Sequence, residues 1–186
     1  RSSMVNIFLK ETINSYLLHH QNKNNYLYPS KILKYINERF NSEDFPAELF
    51  IAIIIGVIDL ENFKVSLSNA GFQIFPIITQ KNGSISSLPC KGMPITGIND
   101  KFGYKECNYH LKPGNILHIH TDGLIEQTND KKNMYGQEKL LQILNQKAGL
   151  SPKEILSIVY HDLFEFKGDM PIQDDLTSLL IKRENS

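Results

Sequence analysis

The stretch that decides the fold is Glu48-Leu-Phe-Ile-Ala-Ile-Ile-Ile-Gly-Val-Ile58, followed by Asp59-Leu-Glu-Asn62 and then Phe63-Lys-Val-Ser-Leu-Ser-Asn-Ala70. The two outer segments are rich in β-branched and aromatic residues, and the polar tetrapeptide between them has turn composition. This reads as a β-hairpin. The first segment is apolar on both faces, which predicts a central strand covered on both sides. Its apolar core, Leu49 to Ile58, is ten residues long and is interrupted by Gly56. A membrane-spanning helix needs about 20 residues, so the run is assigned to a buried strand.

Working outward, the period changes on both sides. Upstream, Met4, Ile7, Phe8, Ile13, Tyr16 and Leu17 fall at helical spacing, predicting an amphipathic helix over 4–18. Pro29-Ser30 opens a second helix running to about Phe40, with Ile32, Leu33, Ile36 and Phe40 on its buried side. Downstream, strands are predicted at 74–79, 85–88, 104–111 and 116–121, set apart by Lys81-Asn-Gly83 and Pro113-Gly-Asn115. A helix follows from Gly136 to Gln146. Ser151-Pro-Lys-Glu154 then starts another that runs to about Phe166, with Ser as N-cap and Pro in the first turn. The last strand is Leu176–Lys182. The order is helix pair, antiparallel meander, helix pair, strand, which is α+β in a single domain over 1–186.

Composition narrows the function. The 186 residues are 41% apolar and 22% charged, and the 20 basic side chains balance 20 acidic ones. That excludes a disordered chain and argues against a nucleic-acid or membrane-surface protein held by bulk charge. Cys90 and Cys107 match no metal-binding or redox spacing, so both read as buried thiols. The start Arg-Ser-Ser-Met carries no leader sequence, and the expected compartment is the cytoplasm.

The chemistry concentrates at two strand ends. Ile116-Leu-His-Ile-His-Thr-Asp-Gly123 is an apolar strand that stops at an Asp-Gly pair. An aspartate there is held by the sheet while its oxygens reach a cleft, which suits a hard cation. Alone, Asp122-Gly123 reads more readily as a turn. Gln173-Asp-Asp-Leu-Thr177 again places carboxylates just before a strand, and adjacent like charges favour a nearby cation. Together the two segments suggest one metal site.

Leu111-Lys-Pro-Gly-Asn115 followed by Thr121-Asp-Gly-Leu-Ile-Glu126 resembles the signature of PPM-type metal-dependent serine/threonine phosphatases, in their bacterial SpoIIE/RsbU-like branch. Ser68-Asn-Ala-Gly71 resembles that family's Asn-Ala-Gly-His segment, Tyr135-Gly136 falls at the expected distance, and Asp174-Asp-Leu-Thr177 resembles its closing Asp-Asp-x-Thr. The resemblance implies an antiparallel β-sandwich flanked by helix pairs, with two Mn²⁺ or Mg²⁺ ions at one end. It implies Asp122 and Asp174 as metal ligands and Asp175 as a further ligand or supporting group. Gly123, Thr177 and Asn69 take supporting roles. The implied reaction is hydrolysis of phosphoserine or phosphothreonine on an anti-anti-sigma (STAS-type) regulator in bacterial signalling.

The sequence departs from that pattern in places. Phe72 stands where the family has His, and Asn115 where Asp is common. The family's first strands, with an Asp and an Asp-x-x-Gly-His-Gly segment, have no counterpart between Arg1 and Met4. The expectation is therefore an N-terminally incomplete domain that binds metal poorly and turns over slowly by itself. An open sheet edge would invite pairing with a second copy, hence a possible homodimer. Two alternatives stand beside the phosphatase. One is a phosphatase-like binding module that does not hydrolyse. The other is a zinc hydrolase built on His118, His120 and Asp122, of which the two histidines share one strand face.

Overall fold

The computed structural model describes residues 2–20, 26–43, 45–46, 48–97 and 103–184, and resolves into two compact units. The first runs to Phe72 and resumes over Cys90–His110. The second takes Gln73–Pro89 and the chain from Leu111 onward.

The first unit begins with two helices, α1 (Ser2–His20) and α2 (Pro29–Asn41). Pro29 sits in the first turn of α2, where its missing N–H costs nothing and its fixed φ suits the helix. Leu33, Ile36 and Phe40, spaced three and four apart, are essentially inaccessible to solvent. They meet Tyr16 of α1, Ile51, Ala70 and Ile95 in one core cluster.

The apolar stretch that opened the sequence reading divides into β1 (Phe50–Ile51) and β2 (Ile53–Ile58). β2 pairs antiparallel with β3 (Lys64–Ala70), with Ile53 opposite Ala70 and Ile58 opposite Val65. The hairpin is therefore as expected. Its first strand, however, is not central. The sheet order is β2-β3-β7, with β7 at Glu106–His110, so β3 lies in the middle and β2 at an edge. β1 is diverted to pair with β6 (Ile95–Thr96), a strand the sequence did not announce. The physical reason is that continuous apolarity marks burial but carries no information about which neighbour supplies it. Here Ile53, Ile55 and Val57 pack against the core cluster, while alternate positions stay half-exposed or open.

Asp59 sets the hairpin turn. Its carboxylate accepts from the backbone N–H groups of Glu61 (2.9 Å) and Asn62 (3.3 Å) and from the Asn62 side-chain amide (2.7 Å).

Cys90 and Cys107 are joined in a disulfide with Cα atoms 5.7 Å apart, which corrects the reading of two separate buried thiols. Spacing in sequence could not reveal it, because the pairing depends on β7 lying beside β3.

The second unit carries a four-stranded antiparallel sheet in the order β5-β4-β8-β9, from Ile85–Ser87, Ile77–Thr79, Ile116–His120 and Ser178–Lys182. Helices α4 (Gln137–Gln146) and α5 (Pro152–Lys167) cover one face. Ile77, Ile116 and Leu180 from the sheet pack with Leu140, Leu144, Ile155, Val159 and Leu163 from the helices. The start of α5 is as the sequence predicts. Ser151 accepts from Glu154 N–H (3.3 Å), while the Glu154 carboxylate takes Ser151 N–H (2.9 Å), a reciprocal capping box with Pro152 beside it. No helix among the described residues is long and apolar enough to cross a membrane.

Candidate functional site

The two acidic segments lie side by side. β8 delivers its chain to Thr121, and Asp122 caps a short helix, α3 (Gly123–Glu126), accepting from Gly123 N–H at 3.1 Å. β9 starts directly opposite, with Ser178 registered on His120. Thr121 extends that pairing beyond the ladder. Its N–H donates to Thr177 carbonyl oxygen (3.0 Å), and its hydroxyl donates to Asp175 carbonyl oxygen (2.8 Å) while accepting from Thr177 N–H (3.0 Å).

Gly123 is required here by space. A Cβ at that position would stand 2.7 Å from Asp175 carbonyl oxygen and 3.2 Å from Asp174 Cβ. Only a residue without a side chain lets the Asp122 turn press this closely on the Asp174–Asp175 backbone. The structure thus brings Asp122, Gly123, Asp174 and Asp175 to one rim of the second unit, with all three carboxylates exposed. Asp174 accepts Asp175 N–H at 2.7 Å, which fixes its side chain against its own backbone. The bonds that hold Thr177 are main-chain ones; the hydroxyl that ties the rim together belongs to Thr121.

Gln127 was not singled out by the sequence, yet it organises the approach to the aspartates. It is buried, and its amide donates to Pro171 carbonyl oxygen (3.0 Å) and Thr128 carbonyl oxygen (3.1 Å). Its oxygen accepts from Gln173 N–H (3.2 Å), and the Gln173 side chain in turn accepts from Thr128 N–H (3.2 Å). This reciprocal clasp sets the loop that leads into Asp174. A glutamine four residues after an Asp-Gly pair carries no sequence signal for a partner 46 residues away.

Behind the rim, His118 and His120 are both buried, with ring centroids 4.9 Å apart and planes 27° from parallel. Register places His118 between Ile77 and Leu180, on the face covered by α4 and α5. Its Nε2 bonds Ser178 Oγ at 2.6 Å, while its Nδ1 and both nitrogens of His120 find no partner among the described residues. Burial, reinforced by the neighbouring His120, pulls the His118 pKa down to about 3. Burial likewise pulls His120 down to about 4, against an opposing upward pull from the Asp122 charge. The zinc arrangement of His118, His120 and Asp122 does not form. The rings stack instead of converging, and these three side chains do not gather as a metal-holding group.

Asn69 lies in the first unit, and its amide is fully engaged there. It donates to Phe72 carbonyl oxygen (2.7 Å) and Cys90 carbonyl oxygen (2.6 Å) and accepts from Phe72 N–H (2.8 Å).

For a hard divalent cation, the donor chemistry of the rim is right: carboxylate oxygens on a pre-set turn, with a glycine leaving room beside them. The number of donors is low. Among the described residues no three His, Cys, Asp or Glu side chains gather closely enough to hold an ion.

Antiparallel sheets with helix pairs, and an acidic rim where two strand ends meet, define a fold of the PP2C type. The SiaA-PP2C domain of Pseudomonas aeruginosa superposes with a TM-score of 0.78 at 18% identity, covering 96% of this chain and 68% of that one. The phosphatase domain of SpoIIE from Bacillus subtilis, presoaked with manganese, superposes at 0.58 with 18% identity, covering 92% of this chain and 72% of that one. The chain belongs to the SpoIIE (stage II sporulation protein E) family, whose model matches residues 1–184. In sequence it is similar to phosphoserine phosphatase RsbU of Bacillus subtilis, 23% identical over 158 residues that make up 85% of this chain. It spans 46% of the length of that relative.

Proposed function

We propose that this chain is part of a metal-dependent protein serine/threonine phosphatase whose substrate is a phosphorylated STAS-type anti-anti-sigma regulator. The observation that carries the reading is the contact of Gly123 with the Asp174–Asp175 backbone, which places Asp122 and Asp174 on the same rim in a SpoIIE-family chain. Asp122 and Asp174 would hold Mn²⁺ or Mg²⁺, with Asp175 as a further donor. The bound cation supplies positive charge that neutralises phosphoryl oxygens and acidifies water. The protein's own contribution is placement: Thr121 and Gly123 fix the two acidic segments against each other, and the Gln127–Gln173 clasp fixes the loop that feeds them. The SpoIIE structure soaked with manganese and the name of the RsbU relative support the metal and the phosphoserine chemistry.

The low donor count at the rim favours a companion statement. The rim's three carboxylates by themselves hold the cation weakly, and a full ligand set requires donors beyond Asp122, Asp174 and Asp175. Phosphate release from a phosphoserine-bearing STAS protein, measured with Mn²⁺ titrated against both this chain and a version extended upstream, tests both parts. Activity of the extended protein that is abolished by Asp122→Asn or Asp174→Asn supports the reading. An extended protein that binds the phosphoprotein tightly but releases no phosphate would establish the non-hydrolysing binding module instead. Gel filtration of both versions tests self-association through an open sheet edge.

A further inference from the structure

We propose that Cys90 and Cys107 form a reversible redox pair, entered through Cys107, whose oxidation staples the 90–92 segment to strand β7 across β3. The inference concerns the first unit and rests on nothing at the acidic rim.

Its basis is that the contact is built whether or not the bond is made. Cys107 lies opposite Leu67 in the β3–β7 ladder, and the Cys90 sulfur lies 3.6 Å from the Leu67 carbonyl oxygen, a ready acceptor for a thiol. Cys90 is held from its own side by bonds that involve no sulfur. Asn69 donates to its carbonyl at 2.6 Å, and Gly71 N–H donates to Gly92 carbonyl oxygen at 2.9 Å. Gly92 permits this approach, because a Cβ there would fall 1.7 Å from Asn69 carbonyl oxygen. The Cα separation of 5.7 Å is therefore set by hydrogen bonds and strand register, so reduction leaves two thiols already in bonding position.

The two sulfurs differ in access. Cys90 is 0% exposed, whereas Cys107 is half-buried on β7, which has a single strand neighbour in its sheet. A soluble disulfide meets Cys107 first. The Cys107 thiolate attacks one sulfur of glutathione disulfide and expels one glutathione thiolate. The Cys90 thiolate then attacks the Cys107 sulfur of the mixed disulfide and expels the second. Two protein thiols thus lose two protons and two electrons, which leave on two molecules of glutathione; a dithiol reductant runs the sequence backward. The consequence is mechanical. Oxidised, β7 is tied covalently across β3; reduced, it is held by its ladder alone and frays first as a terminal strand.

Glutathione disulfide added to the reduced chain should remove both thiols, and dithiothreitol should restore them with the fold intact by circular dichroism. Cys90→Ser should accumulate a stable glutathione adduct on Cys107. Cys107→Ser should react at least about tenfold more slowly while folded and at the ordinary rate in denaturant. Amide exchange over 103–110 should be at least about tenfold slower in the oxidised protein. Equal reactivity of the two variants while folded would overturn Cys107 as the point of entry. A bond that does not re-form after reduction, or exchange over 103–110 that ignores the redox state, would overturn the staple. If either variant fails to fold, the wild-type exchange comparison still decides the matter.

Discussion

Strand β3 of the first unit and strands β4 and β8 of the second bury polar side chains in opposite ways. In the first, Ser66, Ser68 and Asn69 are buried on β3, and each has partners: Asn108 and Tyr26 for Ser66, the Lys105 carbonyl for Ser68, and three backbone groups for Asn69. In the second, Thr79, His118 and His120 are buried with four side-chain atoms that find no partner among the described residues. Satisfied polar groups stabilise and specify a strand register. Unsatisfied ones cost about 1–3 kcal/mol each. The polarity of β3 is therefore structural. The polarity buried on β4 and β8 opposes stability, and on β8 it sits directly behind the acidic rim, where local rules are most often broken for the sake of a site.

The largest effect is expected at Gly123. Gly123→Val forces a branched side chain into the Asp175 backbone, which cannot yield as a flexible side chain would. We expect a loss of about 2–4 kcal/mol in urea unfolding and loss of metal-dependent phosphate release in the extended protein. Asn69→Leu comes next. It strips three hydrogen bonds and leaves the buried Cys90 carbonyl and the part-buried Phe72 backbone groups without their partner, an expected loss of about 2–3 kcal/mol.

The histidines should behave in the opposite sense. His118 is neutral in the folded state down to about pH 3 but takes a proton near 6.5 when unfolded. Its contribution is complete above 6.5 and is lost as the pH falls from there toward 3, because only the unfolded chain then binds the proton. The slope is about 1.4 kcal/mol per pH unit for one such group. Replacing His118 with Leu should flatten the acid limb of the stability–pH curve while leaving stability at pH 8 within about 1 kcal/mol of wild type. An acid limb as steep in the variant as in the wild type would remove the histidine from the explanation. The smallest effect belongs to the exposed Lys34–Glu38 pair on α2, 3.6 Å apart, where Lys34→Ala should change stability by less than about 0.5 kcal/mol.

Much of this architecture could be read from the chain in advance, and the failures have a common cause. Pro29, the Ser151–Glu154 box and the Asp59 turn act within a few residues of themselves, so α2, α5 and the β2–β3 hairpin fall where local chemistry puts them. The break at Ala52, the strand β6 and the Cys90–Cys107 bond each depend on a partner that only the folded chain supplies. At the rim the same division holds. Asp122 and Asp174 stand out because charge at the end of an apolar strand is conspicuous. Thr121 and Gln127 do not, since a hydroxyl or an amide bonding to backbone 46 or 54 residues away looks like any other polar side chain.

The Gln127–Gln173 clasp has one further consequence. It is made of uncharged amides bonding to main-chain groups, so neither ionic strength nor titration can loosen it. The carboxylates beside it can repel one another or be screened by a cation, and the platform under them keeps its shape. A cation entering or leaving the proposed site would thereby change the charge on the rim without disturbing the mount beneath it.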